Sequence, residues 1–161
     1  MGFHDVAQVC ANGHVITGRI QQSPNLGLKF CKKCGAPTIT KCPACSEAIQ
    51  GEYEVEGVLV LGFGMRTPPA FCHACGKAYP WTSARIEAAK AIADEIDELT
   101  TSEKLLLKAS IDDIVTETPR TELGILRFKK YAVKGGKAVA DAFRDILVDV
   151  ASETAKKSIW G

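Results

Sequence analysis

Residues 31–45 read CKKCGAPTITKCPAC, two C-x-x-C pairs joined by the short link GAPTITK. A C-x-x-C pair puts two thiols on one tight turn, and the glycine after Cys34 supplies a backbone conformation that a side chain would strain. Downstream, residues 71–76 repeat the pattern as FCHACG, with Cys72 and Cys75. Upstream, residues 9–15 read VCANGHV and set Cys10 four positions before His14. All seven cysteines and one histidine therefore fall into four pairs. Eight soft donors suffice for two four-coordinate sites, and the pattern predicts two structural Zn2+ ions. The expected first site is Cys10, His14, Cys31 and Cys34, and the second is Cys42, Cys45, Cys72 and Cys75. Four protein donors fill a tetrahedral ion, which leaves no position for water or substrate.

The alternative arrangement is interleaved. It joins Cys10/His14 to Cys42/Cys45 and Cys31/Cys34 to Cys72/Cys75, as in a cross-brace domain. The short link between the second and third knuckles favours consecutive pairing. His4 and His73 are spare, the latter lying inside a knuckle where its side chain points away. An odd number of cysteines fits a Cys/His metal set better than a disulfide framework. A thioredoxin-like redox site would need a βαβ context, and none is apparent.

Composition changes soon after Cys75. The earlier part is rich in Gly, Pro, Cys and β-branched residues, while the later part carries Ala, Leu, Lys and acids at helical spacing. The expected division is 1–80, a double zinc ribbon, and 81–161, a helical domain, with the seam near Tyr79-Pro80-Trp81-Thr82. The fold class expected is α+β: tandem metal-stabilised ribbons followed by an all-α hairpin or small bundle. In the ribbons, Val6–Cys10 and His14–Ile20 read as strands around a two-residue Asn12-Gly13 type I′ turn. Glu52–Val60 reads as a strand and Gly62–Pro69 as a glycine-rich turn. MGFHDVAQVC has neither the positive start nor the apolar core of a secretory leader, and no stretch approaches the roughly 20 apolar residues of a membrane span. A cytoplasmic protein is expected.

The phrases VCANGHVI, FCKKCGAP, KCPAC and FCHACG, with the later SIDDIVTETPRTEL and ILVDVASETAKK, carry a resemblance. The chain is similar to an uncharacterised bacterial family with a double zinc ribbon followed by helices, a domain of unknown function. That resemblance implies the same architecture and zinc ligation by the eight residues named, and it implies no reaction.

In the second half, a helix is expected from Ser83 to about Leu99. Thr100 and Glu103 offer a capping box for a second, running to about Val115. Thr118-Pro119 would open a third, interrupted at Gly135-Gly136, and one further helix is expected from Lys137 towards Ile159. Residues 87–117 are strongly acidic and residues 120–137 basic. Arg120, Arg127, Lys130 and Lys134 fall on one side of the third helix, with Ile125, Phe128 and Ala132 on the other. That basic side reads as a solvated face or a partner for the acidic helices, with nucleic acid, an anionic membrane or an acidic protein as alternatives. Val139, Phe143, Ile146, Leu147 and Val150 share one face of the last helix. It reads as a core face, with self-association through Val139, Phe143, Ile146 and Val150 as the alternative. Trp81 is expected to pack the ribbons against the first helix, and Trp160 to act as a docking anchor.

The formal net charge is +1. Seven thiolates and two divalent ions would bring it to about −2, so the chain is no polycation. Lys29, Lys32, Lys33 and Lys41 flank the knuckles, where they compensate thiolate charge or contact phosphate. No nucleophile–base set, phosphate loop or paired-carboxylate motif is present, and Asp112-Asp113 are neighbours that do not face one point. The expected function is a non-enzymatic zinc-binding interaction module whose ribbons present a rigid surface, with helices that self-associate or dock a protein. The alternative is nucleic-acid binding through the knuckle lysines and the basic helix face.

Overall fold

The computed structural model describes residues 1–59, 61–62 and 64–161. Val60 and Phe63, within the stretch read as strand end and glycine-rich turn, lie outside the described residues. The chain divides into two compact units, Met1–Ser83 and Ala84–Gly161, and the fold is α+β.

Among the described residues the first unit holds five short strands: β1 (Gly2–Val6), β2 (Gln8–Cys10), β3 (Val15–Thr17), β4 (Thr38–Ile39) and β5 (Gln50–Val55). They form a three-stranded antiparallel sheet ordered β3-β2-β4 and a separate antiparallel pair, β1-β5. The register of the pair is Gly2 opposite Val55, Phe3 opposite Glu54 and His4 opposite Tyr53. A strand was expected over 52–60; β5 is shorter and starts earlier, because its pairing partner is the N-terminal strand. The second ribbon is thus not self-contained. Ala7 N–H donates to Ile49 O at 2.9 Å, Glu52 N–H donates to Gly18 O at 2.8 Å, and Arg19 pairs with Glu52. Buried Asp5 accepts from the amides of Gln21 and Gln22 and closes the turn after β3.

One core serves the whole unit. Ala7, Val9, Ile49, Tyr79 and Trp81 pack with the ligand candidates Cys42 and Cys72. Trp81 stacks on Tyr79 at 4.7 Å between centroids, and its indole N–H donates to Pro69 O at 2.9 Å. It is therefore a core residue of this unit.

The helices are α1 (Pro80–Asp94), α2 (Thr101–Val115), α3 (Thr121–Ala132), α4 (Gly136–Leu147) and α5 (Glu153–Trp160). The capping box opens α2 as expected: Glu103 N–H donates to Thr100 Oγ1 at 3.2 Å and Thr100 N–H to Glu103 Oε2 at 3.0 Å. Four boundaries differ from expectation, and one is the end of α1, which stops at Asp94 instead of running to about Leu99, with a turn following. Proline fixes its own φ, and α1 starts at Pro80 instead of Ser83. In α3, the Thr121 hydroxyl accepts from Thr118 N–H and donates to Thr116 O, both at 2.8 Å, so the 116–120 link is a side-chain-stabilised turn and the helix begins after Pro119. The single helix expected over 137–159 is two. Ser152 caps α5 by accepting from Ala155 N–H, while its own N–H donates to Ile114 O at the end of α2.

In this second unit the core includes Leu107, Ile111, Ile114, Ile125, Phe128, Phe143, Leu147 and Val150. Phe128 meets Phe143 edge-on at 5.2 Å and Trp160 at 6.0 Å. Arg120 to Asp113 and Lys134 to Glu103 join the basic segment to the acidic one, while Lys90 to Asp112 and Lys108 to Asp94 pair α1 with α2 within the acidic segment. No described helix is long and apolar enough to cross a membrane.

Candidate metal centres

Three of the four knuckles are copies of one backbone design. In each, the residue four positions after the first cysteine donates its N–H back to that cysteine's carbonyl at 2.8 Å: Gly35 to Cys31, Ser46 to Cys42, Gly76 to Cys72. The first cysteine in turn donates to the carbonyl of Ala36, Glu47 or Lys77. A single antiparallel bridge closes each loop, pairing Phe30 with Pro37, Lys41 with Ala48 and Phe71 with Ala78. The turn needs a left-handed residue, which Gly35 and Gly76 supply at φ +73 and Ser46 at φ +65. A Cβ built on Gly35 or Gly76 meets nothing within 4 Å, so a side chain there carries only a backbone penalty. Gly76→Ala is expected to keep its metal and lose about 1 kcal/mol in urea unfolding of the loaded protein. A loss above about 3 kcal/mol would mean the glycine serves a contact instead.

The fourth knuckle is different. Gly13 N–H donates to Cys10 O and Cys10 N–H to His14 O, with Gly13 at φ +89 and Asn12 on the ordinary side of φ. The turn is thus a three-residue loop ending on a left-handed glycine, in place of the two-residue type I′ turn expected. The extra residue leaves Asn12 free to donate its side-chain N–H to Cys34 Sγ at 3.4 Å.

The donors assemble consecutively, Cys10, His14, Cys31 and Cys34 in one set and Cys42, Cys45, Cys72 and Cys75 in the other, with the ligand atoms of each set within 4.8 Å of one another. The sulfurs of Cys10 and Cys34 are 3.8 Å apart, those of Cys42 and Cys75 3.8 Å, and those of Cys45 and Cys72 3.7 Å. His14 turns Nδ1 inward, 3.4 Å from Cys10 Sγ and 3.5 Å from Cys31 Sγ. A tetrahedron with metal–sulfur bonds of about 2.3 Å has edges of about 3.8 Å, and a sulfur–nitrogen edge of about 3.5 Å. These edges fit one tetrahedral ion per set, whereas a disulfide would require about 2 Å.

Electrostatics agree with that fit. The Ala36 amide and then the Asn12 side chain draw the Cys34 thiol down to about 6. The Cys75 amide, joined by that of Ala74 and opposed by burial, holds Cys72 at about 6. The Glu47 amide favours the Cys45 thiolate, but burial and the sulfurs of Cys72, Cys75 and Cys42 outweigh it and push Cys45 up to about 12. Burial likewise raises Cys10 against the His14 and Asn12 amides. Four crowded sulfurs cannot all ionise without a compensating cation, so a divalent ion would displace the remaining protons.

One buried group finds no other explanation. Among the described residues, Tyr79 Oη is the buried side-chain polar atom that lacks a partner. Burial, and then Cys72, Cys42 and Cys45, keep its phenol protonated. An O–H beside a thiolate set is a donor waiting for charge on sulfur. Tyr79→Phe should lower the zinc affinity of this unit about tenfold or more, measured by competition with a chromophoric chelator. An affinity unchanged by the substitution would reduce Tyr79 to packing. Sequence reading placed Tyr79 only at a seam and Asn12 only in a turn. The available signal was position, because Tyr79 follows Cys72 by the same spacing at which buried Ile49 follows Cys42.

The family described as "Uncharacterized protein conserved in bacteria (DUF2321)" matches residues 3–159. The chain belongs to this family. No curated protein and no solved structure matches it. Both donor sets and helices α1 to α4 fall within the matched span, and α5 runs one residue past it.

The other residues singled out in the sequence are placed as follows. Lys29, Lys32, Lys33 and Lys41 are exposed, and among the described residues none is in an ion pair. Of the basic helix residues, Arg120 forks onto Asp113 at 3.0 and 3.2 Å and Lys134 reaches Glu103 at 2.8 Å. Lys130 lies 5.2 Å from the Tyr131 ring, and Arg127 is half-buried. Phe143 and Val150 are buried inside the helical unit, with Val139 and Ile146 half-buried at its edge. His4 bonds Gly51 O, and His73 is exposed.

Proposed function

We propose that Met1–Ser83 is a scaffold closed by two structural zinc ions, and that the protein acts as a non-enzymatic interaction module in the bacterial cytoplasm. The observation that carries this reading is the pair of donor sets, each with four ligand atoms at tetrahedral spacing. Borderline-soft zinc matches three sulfurs with an imidazole and four sulfurs alike, and four protein ligands close the coordination shell to substrate. The ions then hold short strands in place, and the surface around the knuckles is what remains to act on other molecules. Elemental analysis of protein purified without chelator should give two zinc equivalents. Cobalt replacement should give tetrahedral thiolate spectra at both sites with no exchangeable water. Fewer than two equivalents, or a coordinated water, overturns the reading.

Nucleic-acid binding is the second reading, and one observation favours it. Phe30 is 63% exposed amid Lys29, Lys32 and Lys33, an aromatic face among free cations of the kind that stacks on single-stranded bases. The helix face contributes less than its sequence implied, since Arg120 and Lys134 are held by carboxylates. Retention of a single-stranded probe at about 50 mM salt, weakening steeply as salt rises, is its signature. Absence of any shift with metal-loaded protein removes it.

A further inference from the structure

A groove of about 390 Å³ lies beside the first donor set, walled by Val15, Ile16, Leu26 and Leu28 and rimmed by Lys32 and Lys33. Its walls are largely apolar, and its two cations have no carboxylate partner among the described residues. An apolar cleft with unpaired lysines at its mouth suits an extended segment that carries bulky aliphatic side chains next to an acid.

The chain itself contains such a segment. Residues 54–62 read EVEGVLVLG. Val58 is 57% exposed, Leu59 83% and Leu61 90%, a run of aliphatic side chains that a soluble surface seldom leaves uncovered. Glu56 precedes them, exposed and outside every ion pair among the described residues. We propose that the groove beside the first donor set receives this segment from a second copy of the chain, with Val58, Leu59 and Leu61 against Ile16, Leu26 and Leu28 and Glu56 facing Lys32 and Lys33. The two halves of the contact adjoin within one copy, since Gly62, Gly64 and Met65 line a second cavity together with Val15, Ile16 and Leu26, which also wall the groove. Two copies can then exchange segments reciprocally, and a closed two-fold pair is expected in place of an open chain.

This rests on the zinc-scaffold reading, because His14 and Cys31 form part of the groove wall. Zinc content is therefore measured on every sample. The test uses full-length zinc-loaded protein in sedimentation velocity up to about 100 µM, and a fluorescein-labelled peptide of residues 54–62 in polarisation titrations. A dimer is expected, with peptide binding that weakens as salt rises. K32E combined with K33E should weaken both by about tenfold or more while two zinc equivalents are retained. Mixing that variant with Glu56→Lys protein should restore association, and Leu59→Asp should abolish it without touching the knuckles. A fully loaded protein that stays monomeric and takes no peptide overturns the inference alone, as does binding indifferent to charge reversal. Loss of zinc from the unmodified protein would instead sink the scaffold reading.

Discussion

Stripping the metal with a strong chelator at neutral pH will unfold Met1–Ser83 and leave Ala84–Gly161 helical. The first unit has strands of two to six residues, and of the seven residues in its core cluster two are Cys42 and Cys72. A core that small cannot offset the chain entropy of so many residues. Structural zinc contributes about 10–16 kcal/mol apparent per site, comparable with the entire stability of an ordinary domain. The helical unit draws on none of this, since its core is built from Leu107, Ile111, Ile114, Ile125, Phe128, Phe143 and Leu147. The two tryptophans separate the outcomes. Trp81 reports the first unit and Trp160, against Phe128, the second. Chelation should shift Trp81 emission to the red in a Trp160→Phe background while the helical circular dichroism largely persists. A first unit that keeps its amide protection without metal would show that its apolar core suffices.

Phe143→Asp will unfold the helical unit and leave zinc content at its starting value. Phe143 is fully buried and packs edge-on against Phe128, so truncation alone would cost about 3–5 kcal/mol. A buried carboxylate without a partner adds several more, enough to exceed the stability of a unit this size. Thermal melts at 222 nm with parallel metal analysis check this. A variant that stays folded and changes only its oligomeric size would instead place Phe143 on a contact between copies. The same geometry explains why the spacing of Val139, Phe143, Ile146 and Val150 is ambiguous in sequence. A seam and a core stripe share one periodicity, and only the packing of Phe143 against Phe128 of α3 decides between them.

The two clusters of candidate donors were legible because coordination chemistry fixes both residue type and spacing. Cysteine pairs on tight turns have few other uses in such a chain, and a seven-residue link leaves little room for interleaving. The α2 cap was legible for a similar reason, a side-chain motif with its own local geometry. Long-range pairing was not. Nothing in residues 50–55 announces β1 as their partner, since a strand's sequence specifies which residues face the same side and not which strand lies beside it. The α4–α5 break escaped because Leu147, Ala151 and Ala155 keep helical spacing across it, although Ser152-Glu153 is a legible start signal. Tyr79 escaped because a buried hydroxyl is informative only once its lack of partners is seen.

The pairing of β1 with β5 has a final consequence for how the protein matures. β5 lies between the two halves of the second donor set, and β1 leads directly into the first, so filling either site freezes a strand that the other needs. The ions should therefore load cooperatively, each raising affinity for its fellow by the same factor. Under limiting zinc, native mass spectra would show apo and doubly loaded chains with little of the singly loaded form, making assembly of this unit close to all-or-none with respect to cellular zinc supply.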